Sequence, residues 1–296
     1  MRTRVLKDKI AGGVMFFLTI SSLLLVVIMG VGLFLKSAPV FDEHSLGDLL
    51  FSSSWKPMKG EFGFLPFIMG TIWVTVIAVV MAVPISLLTA IYLAEYARPV
   101  TRKYVFPALD ILAALPSVIY GVWGTLLIVP FISDWLAPQF VDFSTGYTML
   151  AAGIVLGVMI LPLLVSLFIE IITSVQGELR EASISLGATR WQTTKLVVIR
   201  NVRPGLAAAV VLAVSRALGE TIAVLMVCGN LPEIPRSLFS ACYPIPALIA
   251  NNYGEMLSLP HYEAALMFAA LILFVVVLLF NLISRVVLYR IEKNVN

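Results

Sequence analysis

Apolar residues along this chain come in long blocks rather than at the spacing of an amphipathic helix or an alternating strand. Six blocks, at roughly 11–35, 67–94, 111–132, 147–173, 205–229 and 262–287, are almost free of charge. A bilayer core about 30 Å thick takes about 20 residues of helix at 1.5 Å each. Each block is long enough to cross. The pattern predicts an all-α polytopic membrane protein with six transmembrane helices. The first block follows MRTRVLKDK, which has the basic character of a signal peptide's start. Its run of about 25 residues exceeds the 7–15 of a signal-peptide core, so it reads as an uncleaved anchor.

Interruptions refine the blocks. Pro84, Pro116 and Pro162 fall within the second, third and fourth, where each removes a backbone donor and kinks a helix. Gly153 and Gly157 form a small-xxx-small pair that lets a second helix approach closely. No repeat of fixed period and no inverted halves of matching hydropathy are visible. Composition agrees with the blocks: charged residues make up 12% of the chain, against roughly 25% in soluble domains.

Charge placement orients the spans. Fifteen Lys and Arg residues fall on one side of the blocks: Arg2, Arg4, Lys7, Lys9, Arg98, Arg102, Lys103, Arg180, Arg190, Lys195, Arg200, Arg203, Arg285, Arg290 and Lys293. The other side holds Lys36, Lys56, Lys59 and Arg236, and Arg216 alone lies inside a block. By the positive-inside rule both termini are cytoplasmic.

Little else suggests chemistry. No phosphate-binding GxxxxGK[ST] loop, catalytic Ser/His/Asp set or basic aromatic tract occurs, so ATP hydrolysis, enzymatic catalysis and nucleic-acid binding find no support. Two cysteines, Cys228 and Cys242, are too few for a disulfide scaffold or a tetrahedral zinc site, and read as apolar fillers, with pairing as the alternative. His44 and His261 read as solvated residues outside the spans, so no metal or cofactor is expected. Asp110 and Glu170 sit near cytoplasmic span ends where carboxylates reach water, and Glu95 is expected to meet Arg98 one turn later.

The cytoplasmic stretch 174–204, SVQGELREASISLGATRWQTTKLVVIRNVRP, is too regular for a simple connection. Good helix formers lead to Gly187, and Trp191, Leu196 and Ile199 then recur at amphipathic spacing. The pattern predicts two short helices hinged at Gly187. Such a knuckle suits docking into another protein, or lying among lipid headgroups.

EASISLG, with Glu181, Ala182 and Gly187, resembles the EAA loop of the membrane subunits of ATP-binding-cassette importers. Ser183 replaces the third residue of that pattern. Arg200 stands where the family has a proline, and the nearest proline is Pro204. ILAALPSVIYGVWG at 111–124, SRALGETIAV at 215–224 and YPIPALIANNYGE at 243–255 are similar to the phosphate-importing branch of that family, the PstC type. The resemblance covers roughly 65–290. It implies a type I importer permease, a PstA-type second permease subunit, ATPase subunits docked at 174–204 and an external phosphate-binding protein. It divides the chain into 1–66 (tail, first span and external loop) and 67–290, the transmembrane domain.

Arg216 and Glu220 remain to be explained. An arginine at a helix centre costs about 2.5–3.5 kcal/mol to insert, so it must face protein or water. Four residues apart on a helix, the two share a face. One reading is an intrahelical ion pair that fixes packing. The other is a translocation path, in which the planar guanidinium binds two oxygens of an oxoanion while Glu220 competes for it. In this reading Gly219 leaves room at the backbone and Thr221 adds a hydroxyl donor. By the resemblance, Arg216 and Glu220 match the importer's intramembrane charged element. The rival functions are an ion-coupled secondary transporter with Glu220 carrying a proton, a permease for sulfate or molybdate, and a membrane scaffold or sensor that transports nothing.

Overall fold

In hydrocarbon a backbone must satisfy its own polar groups, which leaves the helix as the open-chain solution. The computed structural model describes residues 2–254 and 260–293. Glu255, the last residue of the YPIPALIANNYGE stretch, lies outside them, as do the side chains of His261, Arg2, Arg4, Lys7 and Lys293.

A long helix, α1 (Arg2–Glu43), is followed by α2 (Leu46–Phe51) and a two-stranded hairpin, β1 (Trp55–Lys56) and β2 (Glu61–Phe62). Trp55 pairs with Phe62 and Lys56 with Glu61. Next comes α3 (Leu65–Ile91), extended by a π turn through Tyr96. Then follow α4 (Pro99–Ala114) and α5 (Ser117–Trp123), which continues through π turns and α6 (Val129–Phe131) to Gln139. The remainder is α7 (Met149–Thr173), α8 (Gly177–Ser185), α9 (Arg190–Gln192), α10 (Ile199–Leu218), α11 (Ile222–Leu225), α12 (Ile245–Asn252) and α13 (Pro260–Lys293).

Among the described residues six helices are long and apolar enough to span: Lys9–Asp42, Leu65–Tyr96, Ser117–Gln139, Met149–Thr173, Arg190–Leu218 and Tyr262–Arg290. Two boundaries differ from the hydropathy pattern. The block at 111–132 is cut at Leu115, whose ψ of 134° is extended, because the residue before a proline is pushed out of the α region. Pro116 therefore separates two helices instead of kinking one. Pro84 and Pro162 do lie inside helices. The block at 205–229 is also divided: its helix starts at Arg190 and stops at Leu218, short of Gly219 and Glu220.

The centre of the bundle is α7, whose most apolar stretch is 61% buried against 33% or less in the other spans. Its partner α3 carries Ala78, Ala82, Ser86 and Ala90, small residues at steps of four, all buried, and Ser86 Oγ donates to Leu161 O of α7 at 3.3 Å. The glycine pair works as expected. A Cβ on Gly153 would lie 2.4 Å from Ile77 Cγ2, and one on Gly157 would lie 2.5 Å from Met81 Cε. Outside this core, Trp55, Phe62, Phe64, Phe67, Tyr262 and Phe268 form an edge-to-face aromatic cluster. That cluster ties the hairpin to the starts of α3 and α13, and Lys36 Nζ bridges to Glu263 Oε1 at 2.8 Å.

Gly153→Val is expected to cost about 1–3 kcal/mol by overpacking the α3–α7 seam. The check is the thermal unfolding midpoint of the detergent-purified chain, with Gly32→Ala as control, because a Cβ on Gly32 meets nothing within 4 Å. Equal midpoints for the two variants would show that Ile77 yields freely.

Candidate functional site

The end of the bundle away from the hairpin is organised by the stop of α8. Gly187 has a φ of +86°, a conformation open to glycine and strained for residues with a Cβ. Its N–H donates to Ile184 O (2.9 Å) and that of Ala188 to Ser183 O (3.2 Å). These two bonds are those of a Schellman cap, which satisfies the last carbonyls of a helix. No atom lies within 4 Å of the Cβ position of Gly187, so the constraint there is backbone geometry alone.

The chain restarts at once. Thr189 and Gln192 form a capping box, with Thr189 N–H donating to Gln192 Oε1 at 2.8 Å and Gln192 N–H to Thr189 Oγ1 at 3.3 Å. So two helices do meet at Gly187, but the second is not short. It runs through a π turn at Thr193–Val198 and into α10 without a break. Glu181 and Ala182 are exposed on α8, as are the apolar Leu179, Ile184 and Leu186 beside them. Leu186 is 90% exposed.

Arg216 lies in the last turn of α10, about 20 Å of helix beyond Arg203. That distance puts it well inside a bilayer core about 30 Å thick. The helix then ends: the N–H groups of Gly219 and Glu220 close tight turns onto Arg216 O (3.2 Å) and Ala217 O (3.3 Å). Glu220 and Thr221 occupy the gap before α11. The expected shared helical face of Arg216 and Glu220 is therefore absent, because the i,i+4 geometry requires a helix that continues. Glu220 Oε1 instead accepts from Ala223 N–H at 3.4 Å, and Thr221 Oγ1 donates to Gly219 O at 3.3 Å. Among the described residues, Arg216 has no ion-pair partner, and its side chain is exposed on this single chain, flanking the buried stripe Val202, Leu206, Ala209, Ala213 and Ala217 of α10.

The stretches 111–124 and 243–255 support this break. Gly121 and Gly124 receive α11 and the turn beyond it: a Cβ on Gly121 would meet Met226 Sδ at 2.5 Å and Ala223 Cα at 3.3 Å. Tyr120 is buried, donates to Leu112 O at 2.7 Å, and lies within Coulombic reach of Arg216. Further out, Ile245 N–H donates to Thr71 Oγ1 at 2.9 Å, and Asn251 and Asn252 donate to the Tyr243 hydroxyl at 2.9 and 3.2 Å. Cys228 and Cys242 are buried free thiols on neighbouring strands of backbone, with Cys242 N–H donating to Cys228 O at 2.9 Å.

Two groups were missed by the sequence reading. Glu95 meets Arg180, not Arg98, at 2.9 Å, across 85 residues of chain. The available sign was an arginine directly before Glu181. Arg102, expected only as a topology charge, donates to Ala94 O at the end of the second span.

Relatives agree with this architecture. A probable phosphate transport system permease protein PstC from Methanocaldococcus jannaschii is 35% identical over 291 residues, 93% of this chain and 91% of that one. A phosphate transport system permease protein PstC from Pasteurella multocida is 35% identical over 258 residues, 82% of this chain and 80% of that one. Among solved structures, a bacterial alginate ABC transporter chain superposes with a TM-score of 0.66 at 16% identity, covering 97% of this chain and 98% of its own. Residues 82–296 match the family described as binding-protein-dependent transport system inner membrane component. With six helices long enough to span among the described residues, a Schellman-capped helix at one end of the bundle and a relative alike over nine-tenths of its length, the chain is a multi-pass membrane protein that belongs to this family of importer permeases.

Proposed function

We propose that the chain is a membrane-spanning permease subunit of an ATP-driven importer of inorganic phosphate. It lies in the cytoplasmic membrane with both termini inside. A PstA-type subunit completes the path, ATPase subunits dock on α8, and an external phosphate-binding protein delivers the anion. The chain carries no catalytic role of its own, since hydrolysis belongs to the ATPase partners.

The observation that carries this reading is Arg216, exposed on this chain and without an ion-pair partner among the described residues, at a helix break inside the membrane. Broken helices are tolerated at that depth where they line a cavity. A planar fork with no carboxylate on it is free to take two oxygens of an oxoanion. Glu220, four residues on but off the helix, acts as a neighbour that competes for the guanidinium rather than one that neutralises it at rest. The names of the relatives choose phosphate among the oxoanions.

Phosphate uptake into proteoliposomes holding the full complex tests this. Arg216→Leu should assemble but abolish uptake, and Arg216→Lys should restore only part, since an ammonium lacks the fork. Near-normal uptake by Arg216→Leu/Glu220→Leu would remove both residues from the path.

Gly187→Val should place a β-branched residue in the left-handed region at a cost of about 1–3 kcal/mol. Weaker ATPase association or lost substrate-stimulated hydrolysis should follow, with insertion unchanged, and Glu181→Lys should show a milder version. Normal association and coupled hydrolysis in Gly187→Val would move docking away from α8.

Topology is checked with single cysteines at the exposed positions Ser53, Ser237 and Ser185. An impermeant maleimide should label the first two on intact cells and Ser185→Cys only after the membrane is opened. The reverse pattern would turn α8 toward the wrong compartment.

A further inference from the structure

The helix α8 has no buried residue, so apolar packing does not hold it to the bundle. Any movement delivered to it would be absorbed by the short connection at Ser174–Gln176 unless polar contacts tie it down. Such contacts converge on Arg180. Its Nη2 donates to Glu95 Oε1 and to Ile172 O, both at 2.9 Å. Its Nε reaches the same carboxylate oxygen at 3.2 Å, and Nη1 donates to Val175 O.

These acceptors belong to different elements. Glu95 sits in the π turn that ends the second span, whereas Ile172 lies in the last turn of α7 and Val175 just beyond it. Carbonyls at a helix C-terminus lack intrahelical donors and face the negative end of the helix dipole, so a guanidinium satisfies both needs. Exposed ion pairs contribute little to structure, but these side chains are only 22% and 14% exposed, and the fork is occupied on three nitrogens. A second tie, Ser183 Oγ to Thr193 Oγ1 at 3.0 Å, joins α8 to the π turn at the base of the long helix.

We infer that Arg180 is a positioning residue for energy coupling. It clamps α8 to the cytoplasmic ends of α3 and α7, so that displacement of α8 by a docked ATPase moves the two helices at the centre of the bundle. This inference rests on the docking role proposed above for α8. Glu95 is the other half of the clamp. Arg180 touches neither nucleotide nor transported anion, and its effect is on the ratio between hydrolysis and transport.

The test measures phosphate transported per ATP hydrolysed by the complete reconstituted complex, alongside assembly and basal hydrolysis. Arg180→Gln and Glu95→Gln should assemble and hydrolyse ATP at the basal rate. Their transport per ATP should fall roughly 2- to 30-fold, the span seen for residues along coupling networks. Arg180→Lys should fall less than Arg180→Gln. The double variant Arg180→Gln/Glu95→Gln should be no worse than Arg180→Gln, because one clamp is broken once. Unchanged transport per ATP in both single variants would overturn the inference, and so would loss of assembly in both, which would make the contacts purely structural. Gly187→Val separates the two levels. A coupling defect there with unaltered Arg180→Gln removes the clamp alone. Wild-type complexes without ATP-dependent phosphate uptake would remove the proposed function and the clamp with it.

Discussion

The seam between α3 and α7 is the contact on which the other helices depend. Two glycines of α7 admit Ile77 and Met81, and a row of small residues on α3 faces them. In lipid there is no hydrophobic drive between helices, so close approach of small residues has to supply the attraction. Because the seam is tight, α7 becomes the axis against which α4, α5, α10 and α11 are placed. The arrangement at both ends is a consequence. At one end the second span and α7 finish side by side and offer Arg180 a carboxylate and two carbonyls. At the other, α11 and Met226 are pressed against Gly121 while Gly124 admits Val155 of α7 and Val227, and this is where α10 gives out.

Much of this is legible in the amino-acid sequence. Six apolar blocks appear as six spanning helices, because the solvent that a helix faces selects its side chains directly. The Gly153/Gly157 pair and the hinge at Gly187 are readable for a similar reason: each arises from local chain geometry. Hydropathy does not register a break made of residues that leave the apolar run intact. Leu115–Pro116 and Gly219–Thr221 interrupt helices inside such runs, so the runs continue across them and two span boundaries are misplaced. The pairing of Arg216 with Glu220 fails for that reason too, since it assumes four residues of uninterrupted helix. The Arg180–Glu95 contact is out of reach in another way. Its partners are distant in the chain, and Arg98 stands nearer to Glu95 in sequence.

The face that carries the hairpin is built differently. Aromatic rings, not small residues, join the hairpin to α3 and α13, and the hydroxyls of Tyr243 and Tyr262 collect the carboxamides of Asn251 and Asn252. Rings with a polar tip suit a zone where lipid gives way to water. This leaves the outer ends of α3, α12 and α13 joined as one plate, while α8 at the inner end hangs from a few polar bonds.

The helix that begins at the Thr189 capping box and ends near Arg216 keeps its course through the π turn at Thr193–Val198 and past Pro204, along about 39 Å at 1.5 Å per residue. A rod of that length is a lever. A tilt of roughly 5° about its inner end carries the outer end through roughly 3 Å, about the reach of one hydrogen bond, with no change in any bond within the rod. The guanidinium near the outer end would be carried through that distance while the inner end scarcely moves. Small motions at the inner face and large ones at the charged break are thus two readings of the same rotation, and their ratio is set by helix length alone.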